Sequence, residues 1–420
     1  MSLMMLLLTG LLAAPPLELA PPPPVSDLNS RRQRLMEELG DGVVLVPAGD
    51  AEEKQKLSRN FYYLTGVEVP ESVLMLVIRE GKGEATLFLP DHDPGWERWN
   101  GKRLAPGEEA TRISGIRNTV SLQRYPGALT RALKDTRVVY LEYQEVGLEE
   151  EPGPGLRRVE KIRARHPDIE RFELLQNYVH RLRQVKSEYE LQMLRRAVDT
   201  TGIALERAMR RARPGLYEYQ VQALIESTFR AREGNGPGFG SIIGSGPNSC
   251  ILHYTDNHRL LQSGELLLMD VGALAGCYTA DITRTIPVSG RYTPRQREIY
   301  EIVLKAQEAA IAAVRPGATI RDVHRAARSV IQAAGHGRDF LHGTSHHVGL
   351  EVHDVRPIRE LAPGMVITVE PGIYLPEEQL GVRIEDMVLV TEDGCEVLSR
   401  AIPKDPAAIE RLMSKSIHSF

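Results

Sequence analysis

The chain changes its hydrophobic period several times, and those changes mark out its elements. Residues 30–40, SRRQRLMEELG, have the apolar spacing of a short helix, with Ser30 placed to cap it and Gly40 to end it. DGVVLVPAG, SVLMLVI, EATLFLP and TRVVYLEY predict strands, and helical patterns such as GALTRALK lie between them. This alternation predicts an α/β domain that reaches to residue 180. QVKSEYELQMLRRAVD then opens a long amphipathic helix in which Ser187 and Glu190 have capping-box spacing. The chain therefore divides into a tail (1–29), an N-terminal α/β domain (30–180) and a C-terminal α+β domain (181–420).

The C-terminal part contains an internal echo. RARPGLYEYQVQALIE, from Arg211, resembles AVRPGATIRDVHRAAR, from Ala313, with Val221 and Val323 in equivalent places. A glycine-rich stretch and strands follow each: GFGSIIGSGPNSCILHY in one case, HGTSHHVGLEVH in the other. An offset of 102 residues is too long for a solenoid repeat and fits two halves related by an approximate two-fold.

Several acids interrupt the apolar pattern. Asp270 lies inside ELLLMDVG, and Asp281 follows eleven residues later in YTADITRTI. If these are antiparallel strands turning near Ala275 and Gly276, the symmetric register sets Asp270 directly opposite Asp281. Directly opposed side chains have Cβ atoms about 5 Å apart, where like charges repel. A cation, a shared proton or a wet face is then required, and the LLLM lead-in argues against the wet face. Glu370 ends the apolar strand of GMVITVEPGIYL, and Glu385 lies inside GVRIEDMVLVT. Arg383 shares Glu385's strand parity, so a core ion pair is the plainer reading for that acid. His342, His346, His347 and His353 fall within twelve residues. His346 and His353 would face opposite ways on a regular strand, and a break near Gly349 would let them converge. Four carboxylates and an imidazole suit two divalent ions of the Mn, Co, Fe or Zn type, which is equipment for hydrolysis.

Composition narrows the picture. With 42% apolar and 26% charged residues the chain is ordinary globular material, and a net charge of −4 gives no global attraction to nucleic acid. Three cysteines without a CxxC pair argue against thiolate metal sites and disulfide frameworks. The N-terminal apolar run is too short to span a bilayer, so no membrane insertion is expected. It has the length of a signal-peptide core but lacks the basic leader, the first basic residue being Arg31. Export and cytoplasmic residence both remain open.

The D-x10-D hairpin, HGTSHHVGLEVHD, VEPGIY and GVRIEDMVLVTEDGCEVLS together resemble the pita-bread metallopeptidases of the aminopeptidase P and prolidase branch. The resemblance covers nearly the whole chain after residue 30. It implies Asp270, Asp281, His346, Glu370 and Glu385 as ligands of two divalent ions, most readily Mn²⁺, with Co²⁺ or Zn²⁺ as alternatives. It implies Glu370 as the proton shuttle, His253 and His353 as substrate-site histidines, and His342 and Arg383 as supporting residues. It assigns no role to His347. NFYYLTGVEVPESVLMLV and WERWNGKR resemble the amino domain of aminopeptidase P, which favours cleavage before a second-position proline over the dipeptidase activity of prolidase. A catalytically idle binding module of the same fold is the third reading, and the intact ligand set argues against it. Expected substrates are short proline-containing peptides. Relatives are commonly dimers or tetramers in which a neighbour's amino domain shapes the pocket, and Trp96 and Trp99 are the candidates for that rim.

Overall fold

A computed structural model describes residues 19–49, 57–143, 151, 153–233, 235–356 and 360–415 of the 420-residue chain. The signal-like run lies largely outside the described residues, and no helix among them is long and apolar enough to cross a membrane.

The amino domain is one mixed sheet built from β1 (Gly42–Pro47), β2 (Val73–Arg79), β3 (Lys82–Leu89), β4 (Asn118–Ser121), β5 (Val138–Leu141) and β6 (Arg171–Leu174), in the order β4-β3-β2-β1-β5-β6. Successive residues of β1 enter different cores. Val43 and Leu45 pack with Phe88, Val139 and Ile162, whereas Val44 and Val46 pack with Phe61, Leu64 and Val179. A strand covered on both faces reads as a continuous apolar run, which is what VVLV shows. The first helix corrects the expected start at Ser30. It spans Val25–Glu38 with Pro24 at its N-cap, so Ser30 lies mid-helix. The proline run delivers extended chain directly to the helix, and Leu28 and Leu35 are the apolar residues it buries.

Helix Gln176–Gln184 runs across residue 180, and the long helix Glu188–Arg211 follows, opened by the reciprocal Ser187–Glu190 capping box read from the sequence. It packs with Glu218–Glu233, as Pro294–Ala312 packs with Ile320–Ala333 in the second half. The RPG echo is structural. Gly215 N–H donates to Leu261 O (3.0 Å) and Leu261 N–H to Leu216 O (2.8 Å). In the other half Gly317 N–H donates to Leu361 O (2.9 Å) and Leu361 N–H to Ala318 O (2.7 Å). Gly215 and Gly317 share positive φ values of 90° and 79°, which a side chain would strain.

The strands of the two halves meet at the centre. β7 (Ile242–Ser245), β8 (Leu266–Val271) and β11 (Ile282–Pro287) form one sheet in the order β11-β8-β7. A short extension of the same hairpin, β9 (Leu274–Ala275) and β10 (Tyr278–Thr279), carries its turn. From the second half come β12 (Val366–Val369), β13 (Gly372–Leu375), β14 (Leu380–Arg383), β15 (Asp386–Val390) and β16 (Cys395–Val397). β13 pairs with β14, and β15 lies between β12 and β16.

Candidate metal centre and substrate cleft

The register of the Asp270 hairpin differs from the symmetric expectation. Asp270 pairs with Thr283, and the hairpin turns about Gly276 and Cys277, because Ala275 pairs with Tyr278. Both turn residues have positive φ, 52° and 69°, the requirement of a two-residue turn that follows the strand twist. A cysteine there gives no sequence signal. Moving the turn centre by one residue moves the partner by two, so parity survives and Asp270 and Asp281 still share a face. The crossing is close: a Cβ on Gly272 would run into the Ala280 carbonyl.

The other acids arrive at strand breaks. Glu370 sits between β12 and β13, and Glu385 between β14 and β15 rather than inside a strand. His346 lies in irregular chain laid along β12, its carbonyl accepting from Thr368 N–H (2.9 Å) and its N–H donating to Thr368 Oγ1 (3.1 Å). The chain bends after His347, and the His346 and His353 rings meet edge-on at 4.4 Å between centroids. All nine residues expected at the site, including His253, His342 and Arg383, line one cavity of about 450 Å³.

Asp281, His346 and Glu385 bring ligand atoms within 4.8 Å of one another. His346 Nε2 stands 3.4 Å from both Asp281 Oδ2 and Glu370 Oε1. Burial, then the charge of Asp270, pushes the Asp281 carboxyl well above its usual range; burial, then Asp281, does the same for Glu385. Burial also raises Glu370. Asp270 Oδ1 is buried without a hydrogen-bond partner. Crowded carboxylates that repel one another, with an orphaned oxygen among them, are what divalent cations relieve. The donor set fits the expected ions.

Arg383 does not pair with Glu385. Its Nη2 donates to Asp270 Oδ2 (2.6 Å), its Nη1 to Tyr374 Oη (2.9 Å) and its Nε to Thr283 Oγ1 (3.1 Å). Thr283 in turn donates to Glu385 Oε2 (2.7 Å). His342 Nδ1 lies 2.7 Å from the Gly343 carbonyl and therefore carries the proton, leaving Nε2 to accept from Tyr374 (2.8 Å). Burial and Arg383 lower His342 to about 4, and burial with His346 and His253 nearby lowers His353, so both rings are neutral at pH 7. Tyr374 and Thr283 carry no expected role in the sequence, although Tyr374 stands in VEPGIY and Thr283 shares strand parity with Asp281.

Asp354, next to His353, ties this loop to the domain junction. It is fully buried and accepts from Lys186 Nζ (2.9 Å) and Arg183 Nη2 (2.5 Å), and those cations hold its carboxyl below the usual range against the opposing effect of burial. Arg183 also donates to Asn60 of the amino domain (2.6 Å).

Comparison with known proteins bears on this arrangement. Residues 192–392 match the model of metallopeptidase family M24, and residues 28–140 match the aminopeptidase P N-terminal domain. The Xaa-Pro aminopeptidase of Haemophilus influenzae is 32% identical, the alignment covering 93% of this chain and 98% of that one. The structure of Escherichia coli aminopeptidase P with the inhibitor Pro-Leu superposes with a TM-score of 0.84 at 32% identity, covering 93% and 98% of the two chains. The zinc-substituted form of that enzyme in complex with product gives 0.85 at 32% identity, covering 94% and 99%.

Proposed function

Because this chain belongs to metallopeptidase family M24 and carries an aminopeptidase P N-terminal domain, we propose that it removes the first residue from peptides whose second residue is proline. The observation that carries this reading is the convergence of Asp270, Asp281, His346, Glu370 and Glu385 in one cleft. These five would hold two divalent ions, Mn²⁺ first among the candidates. Bound there, the ions supply Lewis acidity toward the carbonyl under attack.

The protein's own groups do the rest. Glu370 accepts a proton from the attacking water as its oxygen bonds to the first carbonyl carbon. It then delivers that proton to the proline nitrogen as the C–N bond breaks, leaving a free acid and a secondary amine. His253 and His353 line the cleft and donate N–H to the tetrahedral intermediate. Arg383, fixed by Tyr374 and Thr283, holds Asp270 in place. Phe239, Ile242, Leu252 and Val352 give the cleft an apolar wall suited to the proline ring. Trp99, 87% exposed on helix Pro94–Asn100, supports an assembly of two or four copies in which this helix meets a neighbour's cleft.

The test is kcat/KM with Mn²⁺ for Xaa-Pro against Xaa-Pro-Yaa and longer peptides. We expect the longer peptides to be cut at the first bond. Strong preference for the dipeptide would make the enzyme a prolidase, and no cleavage at the first bond would reject the reading.

A further inference from the structure

Glu218 is fully buried at the start of helix Glu218–Glu233, and it does not line the cleft. Its two oxygens gather the ends of one segment. Oε1 accepts from Ser245 N–H (2.7 Å) and contacts Ser245 Oγ (2.7 Å) and Asn248 Nδ2 (3.2 Å). Oε2 accepts from Arg259 N–H (2.9 Å) and from Tyr254 O–H (2.8 Å). Residues 245 to 259 thus leave and return to a single carboxylate, and His253 lies on the arc between, next to Tyr254.

Within the arc Ile251 N–H donates to Asn248 O (3.1 Å) and Leu252 packs against the core of Ile242, Leu268 and Tyr374, while the other polar ties lie toward its ends. Asn257 accepts from Ile243 N–H (3.0 Å) and donates to Gln222 (2.9 Å) and the Ser241 carbonyl (2.9 Å). The Arg259 guanidinium forks onto Glu265 (2.5 and 2.6 Å), and Ser249 Oγ accepts from Gly381 N–H on β14 (2.8 Å). Tyr254 carries the side-chain hydrogen bonds nearest to His253, and its ring packs against Ile242, Leu268 and Tyr374.

We propose that Glu218 is a positioning residue for His253, acting through the Tyr254 hydroxyl and the two backbone N–H groups that it anchors. The proposal rests on the role given to His253 above. A carboxylate suits the task because both oxygens must accept from N–H groups at once. In Glu218→Gln one of those N–H groups would face an amide NH₂ instead. Rotation of a ring on an unanchored arc misplaces a donor that must meet a developing oxyanion within a few tenths of an ångström.

The experiment is a double-mutant cycle on the full, Mn²⁺-loaded protein with an Xaa-Pro-Yaa substrate. Tyr254→Phe removes the hydroxyl that donates to Glu218 Oε2 (2.8 Å) and accepts from His258 N–H (3.3 Å), and it keeps the ring, so the core contacts remain. It should lower kcat about 3- to 10-fold, the worth of the bond to Glu218, with KM and bound metal little changed. In the His253→Ala background the same substitution should lower kcat no further. Glu218→Ala should lose more than Tyr254→Phe and Glu218→Asp should recover part of it; if Glu218→Ala does not fold, the Tyr254 cycle decides. Equal losses in both backgrounds, or no loss in Tyr254→Phe while His253→Ala is costly, would overturn the clamp alone. A silent His253→Ala would overturn the role of His253 and the clamp with it.

Discussion

Arg383 Nη2 lies 2.6 Å from Asp270 Oδ2, while Oδ1 of the same carboxylate is buried without a hydrogen-bond partner. The guanidinium holds one oxygen and leaves the other without a donor, in a residue that lines the cleft. Lysine offers one ammonium in place of three directed donors and cannot reach Asp270, Tyr374 and Thr283 together. Arg383→Lys should weaken divalent-ion affinity about 10- to 100-fold, the usual effect of losing a group that orients a ligand. Titration of Mn²⁺ by calorimetry reads this directly, and an unchanged affinity would detach Arg383 from the centre.

Glu370→Gln keeps an oxygen in the cleft but cannot take a proton from water. Turnover should fall by about 10²–10⁴-fold while much of the metal stays bound. Metal content by atomic emission beside the rate separates the two effects. A fully metallated and fully active variant would remove Glu370 from the proton path.

The raised carboxyls of Asp281 and Glu385 give metal binding a pH dependence. A carboxyl whose folded pKa lies above its unfolded value binds more protons folded than unfolded. Its contribution to stability therefore falls as pH rises from the ordinary carboxylate range toward the folded value. Cations compete with those protons. The rise in melting temperature on adding Mn²⁺ should be larger at pH 8 than at pH 5.5. An equal rise at both would show that these acids do not take up the ion.

Asp354 presents the opposite sign. Its folded pKa is depressed by Lys186 and Arg183, so its stabilisation is present above the unfolded value and is lost as pH falls through the folded one. Asp354→Asn takes the carboxylate from buried Lys186 and leaves Arg183 with the half-exposed Glu351 (3.0 Å), and should destabilise the fold by about 3–5 kcal/mol. Urea unfolding at pH 7 measures it, and a loss below about 1 kcal/mol, the range of exposed pairs, would contradict the geometry.

How much of this was legible in the sequence depended on whether local or non-local forces decide each feature. The Ser187 capping box, the RPG turns and the alternation of strand and helix follow from contacts within a few residues, so the pattern exposed them. The acids of the centre were legible because an ionised group in an apolar run is costly wherever the chain goes, which marked Asp270, Asp281, Glu370 and Glu385 before any contact was known. Parity brought Asp270 and Asp281 to one face even though the turn lies one residue later than the symmetric reading. The amino-terminal helix starts earlier than Ser30 suggests because extended Pro24 precedes it with no capping side chain, and the turn lies later because Cys277 takes a positive φ of 69° that its identity does not announce. Tertiary structure alone decided the partners. Arg383 chose Asp270 over its strand neighbour Glu385, and His346 met His353 across an irregular bend. Thr283 meets Arg383 and Glu385 from 100 and 102 places away, Tyr374 meets His342 from 32, and Glu218 meets Arg259 from 41. A local pattern records which groups must find a partner; only the packed chain, where desolvation and geometry are settled together, determines which partner each one finds.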